Sequence, residues 1–147
     1  MSYDSRLAGD AAEYILACLL RNKHGLISQR FDVEGLDLIV FDPNHHLFPK
    51  EAKSPLFIQV KIRGGGNPTG MGAGTIKKIE RIMKNLGVDE SSVYLAVGFF
   101  KDDIRSIKFY LVPWKAKDRL LSKSGKEVRL SKKKLENLKD ELNIIVI

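Results

Sequence analysis

The alternation of apolar and polar positions divides the chain into a succession of helix and strand signals. Over residues 5–22, Ala8, Ala12, Ile15, Leu16 and Leu19 recur on one helical face, with Asp4 or Ser5 placed to cap the helix and Gly25 to help end it. Residues 26–31 predict a weakly patterned strand. Residues 32–35 predict a turn in which Gly35 suits a positive φ, and residues 36–41 predict a second strand. A loop marked by Pro43, Pro49 and Pro55 then leads into a third strand over 56–62. Residues 75–86 carry Ile76, Ile79, Ile82, Met83 and Leu86 as a helical stripe, with Gly87 as its stop. The continuously apolar run 92–100 predicts a buried central strand, and 107–112 another that ends at Pro113 and Trp114. A basic, irregular connection follows over 115–126. Ser131 caps a last short helix bearing Leu135, Leu138 and Leu142, and residues 144–147 end the chain as an edge strand or a packed tail.

A few polar residues interrupt this pattern where chemistry can use them. Asp37 sits between Leu36 and Leu38 in a strand, where aspartate is depleted and costly to bury unpaired. Gln59 and Lys61 lie two apart in the next strand and so share a face, opposite Ile58, Val60 and Ile62. A carboxylate, a carboxamide oxygen and an ammonium on adjacent strands can hold a hard divalent cation and a phosphate. Glu13 lies at the margin of the first helix's apolar stripe, one turn after Gly9; taken alone, an ordinary boundary glutamate is the plainer reading. The glycine-rich segment 64–74 follows a strand and precedes a helix, but Gly74-Thr75-Ile76 lacks the P-loop lysine and Thr75 stands where a dinucleotide fold needs its third glycine. That disfavours a nucleotide-binding enzyme and leaves the segment as a mobile loop beside the site. Lys77, Lys78, Arg81 and Lys84 are solvated charge by default, and phosphate contacts if their face borders the site. His45 and His46 have no third ligand at helpful spacing and read as a solvated loop tip, while Trp114 reads as core packing and Cys18 as a small residue at the core edge.

Composition narrows the classes. At 147 residues and 44% hydrophobic, the chain is long enough for one cored domain and is not disordered. No apolar run approaches the roughly 18 residues of a membrane span, and residues 1–6 lack a signal-peptide pattern. Cys18 is the only cysteine, so neither a disulfide framework nor a cysteine zinc site is available, and a reducing, cytoplasmic location is expected. The net charge of +7 favours a polyanionic partner through counterion release, or simply solubilises the surface.

The order helix, three strands, helix, two strands, with Gly9-Asp10-Ala11-Ala12-Glu13, Gly35-Leu36-Asp37-Leu38-Ile39 and Phe57-Ile58-Gln59-Val60-Lys61 on the first four elements, resembles the PD-(D/E)XK nuclease superfamily. Within it, the size, the basic helix and the strand ending at Val112-Pro113-Trp114 are most similar to archaeal-type Holliday junction resolvases. The resemblance implies a single α/β domain over 1–147, a central mixed sheet flanked by helices with an αβββαβ restriction-endonuclease-like core over about 5–114. Residues 115–147 would be a basic extension outside the likeness. It implies a Mg²⁺-dependent (or Mn²⁺-dependent) endonuclease acting on DNA, with branched junctions as the favoured subtype, working as a homodimer. Asp37 would be the main anionic ligand, Gln59 and the Val60 carbonyl neutral ligands, and Glu13 a ligand through water or to a second ion. Lys61 would orient or deprotonate the attacking water, with Arg63, Lys77, Lys78, Arg81 and Lys84 on the nucleic acid. Gln59 stands where many relatives carry glutamate. The missing negative charge weakens metal binding and keeps open a binding module that has lost cleavage.

Overall fold

The computed structural model describes residues 5–33, 35–65 and 68–147. Asp4, one of the two expected caps, lies outside these residues, as do Glu34 of the expected turn and Gly66 and Asn67 of the glycine segment. Helix α1 (Ser5–His24) buries Ala12, Leu16 and Leu20 at four-residue intervals, a face that winds slowly around the axis. Cys18, expected at the core edge, is exposed. Strands β1 (Ile27–Val33), β2 (Leu36–Phe41) and β3 (Leu56–Gly64) follow, then the short β4 (Thr69–Gly72), helix α2 (Ala73–Leu86) and β5 (Val93–Phe100). The chain closes with β6 (Lys108–Pro113), β7 (Glu127–Leu130), helix α3 (Lys132–Leu138) and β8 (Ile145–Val146).

Six strands form one mixed sheet in the order β1-β2-β3-β5-β6-β8. Only β3 and β5 run parallel, joined by the crossover that contains α2; the remaining neighbours are antiparallel. Every residue of β5 is buried, as expected for a strand covered on both faces and carrying no hydrophilic alternation. Two apolar clusters result. Leu38, Val40, Leu56, Ile58 and Ala96 pack toward α1, whereas Leu95, Val97, Tyr110 and Val112 pack toward Ile79 and Met83 of α2 and Leu135 of α3. Helix α2 ends as its sequence predicts: Gly87 takes φ 66°, its N–H reaches the Lys84 carbonyl, and the Val88 N–H reaches that of Met83 at 2.9 Å.

The proline loop is organised from within. The buried Asp42 carboxylate accepts the backbone N–H groups of His46 (2.7 Å), Leu47 (3.1 Å) and Phe48 (2.9 Å). Burial pushes this carboxyl up, but the bonds from Phe48, Leu47 and His46 and the charge of His46 outweigh it and hold it below its ordinary value. The glycine segment differs from the mobile loop expected of it. Its residues 69–72 form β4, paired antiparallel with β7 in a second, two-stranded sheet. Gly70 is required there, since a Cβ would collide with the Val128 carbonyl oxygen.

Candidate active site

The β2–β3 ladder pairs Val40 with Leu56, Ile39 with Phe57 and Leu38 with Ile58. Beyond that point the Asp37 carboxylate takes over: its Oδ2 accepts the Val60 N–H at 2.7 Å. In an extended strand the N–H and C=O of one residue point to the same side, so the Val60 carbonyl is turned toward Asp37 as well. Continuing the antiparallel register by one residue sets Gln59 across from Asp37 on a common face. Gln59 is 8% exposed, and its Oε1 is a buried oxygen with no hydrogen-bond partner among the described residues. The turn before β2 closes over it. Gly35, at φ 87°, sits so near that an added Cβ would lie 3.5 Å from Gln59 Oε1 and 2.7 Å from Ile79 Cγ1 of α2. A side chain at position 35 would therefore be strained twice, by its φ and by contact with the helix. The same approach sets the middle of α2 beside the Gln59 carboxamide.

Lys61, next on this face of β3, is half-buried and forms no ion pair among the described residues. Glu13 is buried at 8% exposure on α1. Its Oε2 lies 3.6 Å from a guanidinium nitrogen of Arg30, whose Cα partner across the sheet is Leu38, the residue after Asp37. Arg30 also reaches Asp10 at 3.4 Å and lies 5.3 Å from the Tyr14 ring centroid. No motif in the sequence announces this Asp10–Arg30–Glu13 cluster. Its members are 17 and 20 positions apart, so no local spacing joins them; a cation in a strand otherwise short of pattern was the only available signal. Arg63, Lys77, Lys78, Arg81 and Lys84 are all exposed, the first at the end of β3 and the others along α2.

The donor set fits a hard cation. A buried amide oxygen with no partner among the described residues calls for a water or an ion, and Asp37 with the Val60 carbonyl adds anionic and neutral oxygens beside it. Among the described residues no three histidine, cysteine, aspartate or glutamate side chains group together, so a cation would rest on at most two carboxylates. Magnesium sites built on one or two carboxylates, waters and substrate phosphates have that composition. A cleft of about 1000 Å³ lies elsewhere, between the proline loop (His45, Phe48) and the C-terminal segment (Asn143, Ile144), and none of Glu13, Asp37, Gln59 or Lys61 lines it.

No protein-family model matches the sequence, and no curated protein matches it. Among solved structures, the chain is similar to Hjc, a Holliday junction resolvase from the archaeal hyperthermophile Archaeoglobus fulgidus. The TM-score is 0.52, over 85% of this chain and 84% of that one, at 12% identity. The two folds match. At that identity the likeness speaks for shared architecture, the mixed sheet flanked by helices, and leaves the chemistry to be argued from the residues. Among the described residues no helix is long and apolar enough to cross a membrane.

Proposed function

We propose that the chain is a metal-dependent endonuclease that hydrolyses DNA phosphodiester bonds, with a Holliday or other branched junction as its favoured substrate. One observation carries this proposal: where β2 and β3 cease to pair, the register sets Asp37 across from Gln59, whose buried Oε1 has no hydrogen-bond partner among the described residues, with Lys61 next on the same strand face. The fold shared with a resolvase and the net charge of +7 support it. Mg²⁺ (or Mn²⁺) would be held by Asp37, Gln59 Oε1 and the Val60 carbonyl, with Glu13 binding through water or at a second ion. Bound there, the metal supplies Lewis-acid polarisation and lowers the pKa of water. Lys61 would orient or help deprotonate the attacking water and offset charge on the phosphate. Arg63, Lys77, Lys78, Arg81 and Lys84 would hold neighbouring phosphates. Hydrolysis joins the water oxygen to phosphorus as the bridging P–O bond breaks, without a covalent enzyme intermediate. A cytoplasmic, twofold homodimer would present two such sites to two strands.

A catalytically inactive nucleic-acid-binding module on the same fold is favoured by one observation: Gln59 offers a neutral oxygen where a carboxylate would bring the negative charge that holds a metal. Cleavage of labelled junction, duplex and single-stranded DNA, in Mg²⁺ or EDTA, separates the two. Asp37→Asn is the informative variant, because asparagine keeps an oxygen for the Val60 N–H while losing the charge. Metal-dependent cutting by the wild type, lost in Asp37→Asn and Lys61→Ala at unchanged thermal stability, is the expected result. Tight binding with no cutting in any form selects the binding module, and cutting that survives both substitutions overturns the site.

A further inference from the structure

The positive charge of this protein is not spread evenly. Residues 121–134 contain Lys123, Lys126, Arg129, Lys132, Lys133 and Lys134 against the single carboxylate of Glu127, and so carry five of the chain's seven net charges. All but Lys134 are exposed, and Arg129 is paired at 2.8 Å with Glu127. Lys123, Lys126, Lys132 and Lys133 form no ion pair among the described residues.

This segment has a defined place. The Ser122 N–H bonds the Glu127 carbonyl at 2.8 Å and Leu121 bridges to Val128, making a hairpin whose return arm is β7. In β7 the apolar Val128 and Leu130 are buried while Arg129 faces out, the alternation of a strand with one wet face. Its ladder to β4 runs from Thr69 opposite Leu130 to Gly72 opposite Glu127. One further step of that register sets Lys126 against Ala73, where α2 begins. The hairpin tip therefore lies at the start of α2, about one helical turn before the exposed Lys77 and Lys78. The glycine segment that follows β3 is thus the strand that links a cationic hairpin to a cationic helix distant from it in sequence.

We infer that the hairpin over 121–130 and the start of α3 form a second backbone-contacting surface for duplex DNA, continuous with α2 and lying beyond the residues that handle the scissile phosphate. The inference rests on the nuclease proposal above for the identity of the polyanion. Its chemistry is phosphate neutralisation: flexible exposed cations, no base-reading pattern and strong salt dependence.

The test measures binding of a fluorescein-labelled duplex by anisotropy, in EDTA, across a salt series. It compares the full-length wild type with Lys123→Gln/Lys126→Gln/Arg129→Gln/Lys132→Gln. A control, Lys23→Gln/Lys50→Gln/Lys53→Gln/Lys101→Gln, removes four exposed charges elsewhere. Circular dichroism of all three checks that these surface changes leave the fold intact. Each lost phosphate contact should flatten the slope of log K against log salt by about 0.9. The hairpin variant is therefore expected to lose roughly two to four units of slope and at least about tenfold in affinity, with the control near wild type. Equal effects of the two variants, or none, overturn the inference while leaving the nuclease proposal standing. A wild type that binds no duplex also overturns the inference, whereas the nuclease proposal is decided separately by the cleavage assay on junction DNA.

Discussion

Gln59 concentrates the chemistry of the candidate site in one atom. A buried carbonyl oxygen without a donor costs roughly 1–3 kcal/mol, and Oε1 of this residue has no hydrogen-bond partner among the described residues. A bound cation or water offsets that cost; a carboxylate in its place makes the dependence on a cation sharper. Gln59→Glu is therefore expected to lower the melting temperature in EDTA, because a buried charge would lack a donor, and to bind Mn²⁺ about tenfold tighter. Stabilisation by a ligand grows with the ratio of its concentration to its dissociation constant, so millimolar MnCl₂ should raise the melting point of the variant more than that of the wild type. Thermal unfolding with and without the metal reads both effects, and no metal-dependent shift in either protein would sink the cation site. The residues involved were legible because each breaks an apolar strand: Asp37 between two leucines, Gln59 and Lys61 at strand spacing. Arg30 was not. Its contact with Glu13 depends on how α1 lies across β1, which no local pattern encodes.

Among the elements, α3 is only seven residues long and is held by side chains as much as by burial. Ser131 Oγ accepts the Lys134 N–H at 3.2 Å, the cap expected from the sequence. Glu136 then ties the helix to β6, its Oε1 accepting the Tyr110 hydroxyl at 2.8 Å and the Lys108 ammonium at 3.2 Å, while Oε2 lies 2.9 Å from Lys139. Lys139, Tyr110 and Lys108, in that order, hold the Glu136 carboxyl down to about 2. A carboxyl depressed by folding contributes stability that is fully present above its ordinary value of 4.5 and is lost as pH falls through its folded value. The melting-point gap between wild type and Glu136→Gln should therefore be widest near neutrality and close as pH drops from about 4.5 toward 2. A gap constant through that range would assign the loss to packing instead of charge. The longer elements were readable because their stripes meet the sheet they lie on. Leu86 is the exception: expected in the stripe of α2, it is 45% exposed in the last residue of the helix. The pairing of β4 with β7 was illegible for a different reason. Thr-Gly-Met-Gly has almost no side-chain alternation, and its partner strand begins more than fifty residues later.

At the scale of the molecule, the question is whether residues 115–147 are an appendage or part of the folding unit. The sequence likeness stops near Trp114, which suggests a core that could stand without them. Packing argues otherwise. Leu120, Val128, Leu130, Leu135, Leu142 and Ile144 belong to the same buried cluster as Leu95, Val97 and Val112 of the central strands and Ile79 of α2. Further, β8 supplies the sixth strand, its end fixed by reciprocal bonds between Ile147 and Phe109 at 2.9 and 2.8 Å. At roughly 1.5–3 kcal/mol for each fully buried aliphatic side chain, six of them represent on the order of 10 kcal/mol. Domains of this size are stable by only about 5–15 kcal/mol in total. Ending the chain after Trp114 would also uncover one edge of β6 and the apolar faces of β5 and α2. The truncated chain is therefore expected not to fold cooperatively: no sigmoidal urea transition, and dye binding typical of exposed apolar surface. A cooperative transition in the truncated chain at a stability near that of the whole would mean that the extension is an addition to a complete core. Removal of only the exposed turn over 123–126 should, by contrast, leave the transition nearly unchanged, since its residues contribute charge to the surface and nothing to the buried cluster.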